Sequence, residues 1–379
     1  MRECAPCANP VWPCAMSGAA AALAGFDDVG VIIHGSSGCL FYTSSLLEPA
    51  VYGTCIIESE AVFGTIDRLR EVVEEVRTKY PRVAVINTCV PSVIGEDLAV
   101  LFGDNPPLIL DTPGYLGGME GGYHAALASL SVQADPESTG ITIDGLNLID
   151  PFYRGNLLET VRLLHLAGTF PAALLTGGNS SRLGHVAECT VTANPDCASG
   201  VGKRCGSLLG WEGVREAFSE IARYHPELDL TALENEARRT EERIHYACDK
   251  YLRRFDPPSV ALFGGSAYAG FAADLLHRCL DAEILRVCSR NDPPQTPFPA
   301  ETSVDLRRIG EVLTGTEPDL ILGSDFEHSL RKEAAFVGIT PPLRGQFRLR
   351  ARAFAGLEGA LSLIEEVLNT CRDRPGCRG

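Results

Sequence analysis

Short, near-continuous apolar runs alternate with amphipathic stretches along the chain. Val29–Ile33, Val83–Ile86 and Leu108–Leu110 are apolar throughout, the pattern of strands buried on both faces of a parallel sheet. Between the first two, Thr65–Lys79 places Ile66, Leu69, Val73 and Val76 on one helical face. A second series is predicted to hold a strand at Gly145–Ile149, a helix at Asn156–Gly168 and a strand at Ala172–Leu175. A long charged helix, Leu230–Phe255, then runs to Pro257-Pro258, a pair that ends helices. The third series reads as strands Val260–Phe263, Glu283–Val287 and Asp319–Leu322, with helices Tyr268–Leu280, Val304–Leu313 and Phe326–Val337. A last helix covers Leu357–Thr370. The same kind of unit thus occurs three times without a short sequence repeat. The fold class expected is α/β, with three Rossmann-like domains on parallel sheets, divided as 1–139, 140–256 and 257–379.

Composition narrows the function. A chain of 379 residues with 45% hydrophobic and 22% charged content can bury several cores. A net charge of −16 disfavours nucleic acid and anionic membrane surfaces. No run of 18 apolar residues suggests a membrane span, and Met1–Cys14 lacks the pattern of a signal peptide, so a cytoplasmic protein is expected. Fourteen cysteines in that compartment read as thiols or metal ligands rather than disulfides. There is no G-x-x-x-x-G-K-[ST] phosphate loop, so the chain should not hydrolyse ATP itself. Gly264-Gly265 and Gly270 follow a strand without G-x-G-x-x-G spacing and read as a tight strand-to-helix turn.

Three cysteines stand where a strand or loop feeds a helix. Cys14 opens Cys-Ala-Met-Ser-Gly-Ala, Cys39 closes His34-Gly-Ser-Ser-Gly-Cys39, and Cys89 precedes Val90-Pro-Ser-Val-Ile-Gly-Glu-Asp97. Backbone N–H groups at such positions favour thiolates, which iron–sulfur clusters require. Ligands of open parallel sheets collect at the strands' C-terminal ends, the edge that Cys39 and Cys89 occupy; the helix after Cys14 must fold back to join them. Spacings of 25 and 50 residues match no compact ferredoxin run, so these residues read equally as three free cysteines beside turns. Cys4-x2-Cys7 is either a second metal site or a pair of terminal thiols, and Cys55 lies close enough in sequence to face the platform. His34, His124 and His185 are candidate proton donors or ligands.

Taken together, the motifs resemble the nitrogenase component 1 superfamily. Cys14-Ala-Met-Ser-Gly-Ala is similar to its first cluster-cysteine motif, His34-Gly-Ser-Ser-Gly-Cys39 to its second, and Asn87-Thr-Cys89-Val-Pro-Ser-Val-Ile-Gly-Glu-Asp97 to its third. Between the second and third, Glu60-Ala-Val-Phe-Gly64 resembles a further family segment, and Asp111-Thr-Pro-Gly-Tyr115 and Pro318-Asp-Leu-Ile-Leu-Gly323 fit later positions in order. The wording is most similar to a methanogen branch, the catalytic subunit of Ni-sirohydrochlorin a,c-diamide reductive cyclase. The resemblance implies a homodimer in which Cys14, Cys39 and Cys89 hold a 4Fe-4S cluster at the subunit interface. It implies a nickel tetrapyrrole as substrate and a separate nitrogenase reductase-like iron–sulfur ATPase as electron donor. A tetrapyrrole needs anchors for its carboxylates, and Arg154, Arg182, Arg204 and Arg290 are candidates. A metal-cofactor scaffold and a protochlorophyllide-type reductase subunit are the alternatives within the superfamily.

Overall fold

A computed structural model describes residues 10–372 apart from 99–101, 103, 104, 131, 133 and 348. Cys4 and Cys7 lie outside the described residues. The first unit runs α1 (Ala15–Leu23), β1 (Val29–His34), α2 (Ser37–Leu46), β2 (Tyr52–Gly53), α3 (Glu58–Phe63), α4 (Ile66–Arg77), β3 (Arg82–Asn87), α5 (Cys89–Ile94), β4 (Leu108–Asp111) and α6 (Met119–Ser129). Its sheet has the order β2-β1-β3-β4, and every pairing is parallel. All six residues of β1 are buried, as are Leu69, Val73 and Val76 on the inner face of α4.

Helix α1 explains how Cys14 reaches the others. Its nine residues, mostly alanine, are all buried. A Cβ on Gly18 would lie 1.8 Å from the carbonyl oxygen of Met119, and one on Gly122 would lie 1.7 Å from that of Ala15. Only glycine allows α1 and α6 this backbone approach. The C-terminal end of α1 leads to the start of β1, so its N-terminus points back to the edge where β1, β3 and β4 end.

The second unit runs β5 (Ile141–Asp144), α7 (Tyr153–Leu166), β6 (Pro171–Leu174), β7 (Cys189–Thr192), β8 (Lys203–Ser207), α8 (Gly210–Tyr224) and α9 (Thr231–Leu252), with sheet order β6-β5-β7-β8. The third runs β9 (Ser259–Gly264), α10 (Ser266–Leu280), β10 (Glu283–Ser289), β11 (Ala300–Thr302), α11 (Leu306–Thr316), β12 (Leu320–Gly323), α12 (Asp325–Leu330) and β13 (Ala335–Gly338), in the order β11-β10-β9-β12-β13. Both sheets are wholly parallel.

Two local expectations are corrected. The strand expected at 145–149 is instead Ile141–Asp144, because Gly145 turns the chain with a φ of +71°. The helix expected at Phe326–Val337 stops at Leu330, and Ala335–Gly338 forms an edge strand against β12. Helix α13 (Gly356–Arg372) packs on α7, α8 and α9 of the second unit and on β13 of the third. Its Cys371 is fully buried.

Candidate metal centre

Four loops leave the C-terminal edge of the first sheet. The loop after β1 carries Cys39 in the first turn of α2, and the one after β2 carries Cys55. Cys89 is the first residue of α5, after β3, and Gly114 follows β4. Cys14, the N-cap of α1, forms a backbone bridge with Gly118, and the Ala15 N–H donates to the Gly117 carbonyl at 2.9 Å. The structure brings Cys14 and Cys89 to one glycine. A Cβ built on Gly114 would lie 3.4 Å from each of their sulfurs, so those sulfurs are no further apart than twice that, 6.8 Å. The Gly114 N–H donates to Cys89 Sγ at 3.1 Å. Cys39 Sγ accepts from the Ser36 hydroxyl at 3.5 Å. One turn along α2 from Cys39, the Thr43 hydroxyl donates to Met16 Sδ at 3.1 Å, which joins α2 to α1 near its start.

A buried imidazole braces this edge. His34 is fully buried, with Nδ1 3.1 Å from Thr54 Oγ1 and Nε2 3.1 Å from Thr65 Oγ1. The Thr65 hydroxyl donates to Glu96, and its N–H donates to the same carboxylate at 2.8 Å. With that proton committed, Nε2 carries the ring hydrogen and Nδ1 accepts from Thr54. Burial lowers the His34 pKa to about 4, partly offset by Glu96. The ring therefore ties the Cys39 loop to the segments beside Cys55 and beyond α5. Gly35 completes the brace, since a Cβ there would lie 2.0 Å from Thr88 Oγ1, one residue before Cys89.

The cysteines divide by environment. Cys14, Cys39, Cys55 and Cys89 are half-buried, whereas Cys189, Cys197, Cys205, Cys248, Cys279, Cys288 and Cys371 are buried; all are free thiols. Burial pushes Cys189, Cys248 and Cys288 up to about 12 and Cys279 to about 11. Burial, with Glu120 nearby, also raises Cys197 well above its usual value. Those thiols stay protonated and are poor metal ligands. Cys55, expected from its place in the sequence to be able to face the platform, occupies the same edge with a φ of +49°.

Two further features mark this edge. Asn87 Oδ1, Thr88 Oγ1 and Thr112 Oγ1 are buried without a hydrogen-bond partner among the described residues. Buried polar groups are ordinarily satisfied, so orphans at the ends of β3 and β4 suit a site that a bound group completes. Around it, Phe41, Phe63 and Val93 are each more than three-quarters exposed, with Ile57, Val62, Tyr115 and Leu116 also outward. Among the described residues no three His, Cys, Asp or Glu side chains gather as ligands of a single metal ion. A multi-iron group, with irons spread over several ångströms, is the chemistry these separated thiols could serve.

Other candidates fall elsewhere. His124 and His185 are exposed at the surface. Arg182 and Arg204 are exposed, and Arg290 is buried in an ion pair with Glu327. Arg154 lines a groove between the units. The Gly264-Gly265 turn opens α10, whose Ala267 N–H donates to Asp196 at 3.1 Å. No helix among the described residues is long and apolar enough to cross a membrane.

The family model for nitrogenase component 1 type oxidoreductases matches residues 14–372, from the first of these cysteines to the end of α13. The chain belongs to that family. Members are oxidoreductases with iron–sulfur clusters that commonly work with a reductase component. The nitrogenase molybdenum-iron protein beta chain of Frankia alni is 33% identical over 263 residues, 62% of this chain and 46% of that one. The nitrogenase iron-molybdenum cofactor biosynthesis protein NifE of Clostridium pasteurianum is 24% identical over 72% of this chain and 67% of its own. Component CfbD of the Ni-sirohydrochlorin a,c-diamide reductive cyclase complex of Methanocaldococcus jannaschii is 33% identical over 105 residues, 24% of this chain and 30% of its own. The chain spans less than half the length of the beta chains it matches. In fold it is similar to a solved structure titled "Nitrogenase Cp1 at pH 6.5", at a TM-score of 0.82 and 16% identity over 98% of this chain and 95% of that one. The α/β architecture of three parallel sheets is therefore that of the family.

Proposed function

We propose that this chain is the catalytic subunit of a nitrogenase-like, ATP-dependent reductase acting on a nickel tetrapyrrole, with a 4Fe-4S cluster held by Cys14, Cys39 and Cys89. The convergence of Cys14 and Cys89 on Gly114 carries the proposal. When bound, such a cluster supplies one-electron transfer. The chain's own residues do the rest. The Gly114 N–H and the Ser36 hydroxyl donate to Cys89 and Cys39 sulfur, contacts that a metal-bound sulfur can keep. The His34 brace holds the loops in register. The apolar collar of Phe41, Phe63 and Val93 suits a second copy of this chain, which would exclude water from the thiols and double their number. The electron donor in this reading is a separate iron–sulfur ATPase, and the partial similarity to component CfbD supports the tetrapyrrole.

The similarity to NifE spans a larger share of the chain and favours a second reading, a scaffold that holds a metal cluster without turning over a ring. Anaerobic purification with iron and sulfide analysis, repeated for Cys14→Ser, Cys39→Ser and Cys89→Ser, tests the ligand set. Full iron in all three folded variants would end it. Incubation with Ni-sirohydrochlorin a,c-diamide, the ATPase and a reductant separates the readings, since a scaffold leaves the ring unchanged.

A further inference from the structure

Cys55 is a thiol at the cysteine edge that a ligand set of Cys14, Cys39 and Cys89 leaves unused. It follows β2, as Cys39 follows β1 and Cys89 follows β3. These four are half-buried, whereas the other seven described cysteines are buried. The backbone of Cys55 sets it further apart. Among the described residues three non-glycine positions have a positive φ: Cys55 at +49°, Asp281 at +50° and Glu317 at +45°. Asp281 and Glu317 end helices α10 and α11, where a left-handed residue is an ordinary stop. Cys55 ends no helix, and such a conformation persists only where the surroundings impose it. Here they do. The Thr54 N–H donates to the Ile33 carbonyl at 3.2 Å, and the Ile56 N–H donates to the Gly35 carbonyl at 2.9 Å. Both neighbours of Cys55 are thereby tied to the end of β1 and the loop that leads to Cys39. The Thr54 hydroxyl is held as well, 3.1 Å from His34 Nδ1 and accepting from the Gly35 N–H at 3.0 Å.

A second observation comes from Thr88, the residue before Cys89. It is 1% exposed, and its hydroxyl has no hydrogen-bond partner among the described residues. That hydroxyl faces Gly35, 2.0 Å from where a Cβ would stand, and Gly35 is the residue that holds Ile56. An orphaned hydroxyl between the Cys89 and Cys55 segments points to a group that enters there and satisfies it. We infer that Cys55 is the fourth thiolate ligand of a 4Fe-4S cluster, so that one chain carries a complete set with Cys14, Cys39 and Cys89; the inference rests on the cluster reading above. A four-iron cluster is ordinarily held by four thiolates. Three per chain leave one iron to be bonded from elsewhere, and Cys55 supplies that bond from the same sheet edge. Each thiol gives up its proton to solvent as its sulfur bonds iron. In a dimer the second copy then covers a cluster that each chain already completes, rather than sharing in one.

The test measures iron and sulfide per chain in the full-length protein, purified and reconstituted without oxygen. Wild type should carry about four irons per chain, against about two for a single cluster shared by two copies. Cys55→Gly removes the thiol and relieves the positive φ. It should lose about a quarter or more of the iron and change the electron paramagnetic resonance spectrum, while the thermal midpoint of the apo-protein holds or rises. Cys55→Asn, a side chain that tolerates the same backbone, should lose as much. Ethanethiol added to Cys55→Gly should restore the iron by supplying the missing sulfur. Full iron with an unchanged spectrum in both variants, or about two irons per wild-type chain, would overturn the inference and leave the three-cysteine reading standing. Iron loss accompanied by a lower midpoint in both variants would mark a structural role for Cys55 and overturn it too. A wild type that takes up no iron would end the inference and the cluster reading together.

Discussion

Gly114→Ala isolates the thiol geometry from the fold. The added methyl would stand 3.3 Å from Cys14 Cβ and 3.4 Å from both Cys14 Sγ and Cys89 Sγ. The contact with Cys14 Cβ is slightly tighter than ordinary packing, the two sulfur contacts are at its close limit, and both cysteines are only half-buried. The backbone of Gly114 lies outside the left-handed region, so alanine gains about 0.4–1 kcal/mol from a less flexible unfolded chain. Crowding costs a similar amount, on the order of 1 kcal/mol. The apo-protein should therefore melt within about 3 °C of wild type. Cluster binding should not survive as well, because a methyl this close to both sulfurs claims the space that a group bonded to both must enter. Iron per chain, measured after anaerobic reconstitution alongside calorimetry, should fall below half the wild-type value. Full iron with an unchanged visible spectrum would show that the two sulfurs do not share one inorganic group.

Three further outcomes follow from buried titratable groups and from the apolar collar. His34 has its pKa lowered from 6.5 to about 4, so the folded state binds fewer protons than the unfolded chain. Stability should fall as pH drops from 6.5 toward 4, by up to about 3 kcal/mol, and His34→Gln should flatten that slope in denaturant titrations at pH 7 and 5. Glu120 is the opposite case: burial raises it from 4.5 to about 7, although the Trp12 indole N–H donates to its carboxylate at 3.1 Å. The folded state holds the proton longer, so stability should decline from pH 4.5 to 7. Glu120→Gln should outperform wild type at pH 8 relative to pH 5 by up to about 3 kcal/mol, and equal pH profiles would refute the burial argument. Phe63→Glu combined with Val93→Glu places two charges on the collar; sedimentation should show at least a tenfold weaker self-association, and an unchanged dimer would move the interface elsewhere.

The fold was legible where burial and periodicity coincide. The strand around Val29–Ile33 and helix α4 stand close to their expected limits because an all-apolar run and a single apolar stripe each admit one reading. It was less legible where a strand is short or only partly apolar. Lys203–Ser207 reads Lys-Arg-Cys-Gly-Ser and pairs with β7 despite its polar side chains. Ala335–Gly338 continues an apolar helical pattern, and only its pairing with β12 makes it a strand. At the candidate site the three motif cysteines could be picked out by their position where a strand or loop feeds a helix. The His34–Thr54–Thr65–Glu96 brace could not, because its members are 20 and 31 residues from His34 or from one another and meet only once the sheet has formed.

The cysteines show why environment decides where counting cannot. Fourteen occur in the sequence, and local context alone leaves Cys14 and Cys197 looking alike, each beside a glycine- or alanine-rich turn. In the folded chain Cys197 sits among Glu120, Asp150 and Asp196, whose charges together with burial oppose a thiolate. Cys14 and Cys89 sit instead at helix starts, where Cys89 already accepts a backbone N–H and Gly114 leaves both sulfurs room. A thiolate forms only where its charge is solvated by donors or metal. Of the described cysteines, the half-buried set at the first sheet's edge is the one that an exposed apolar collar would enclose.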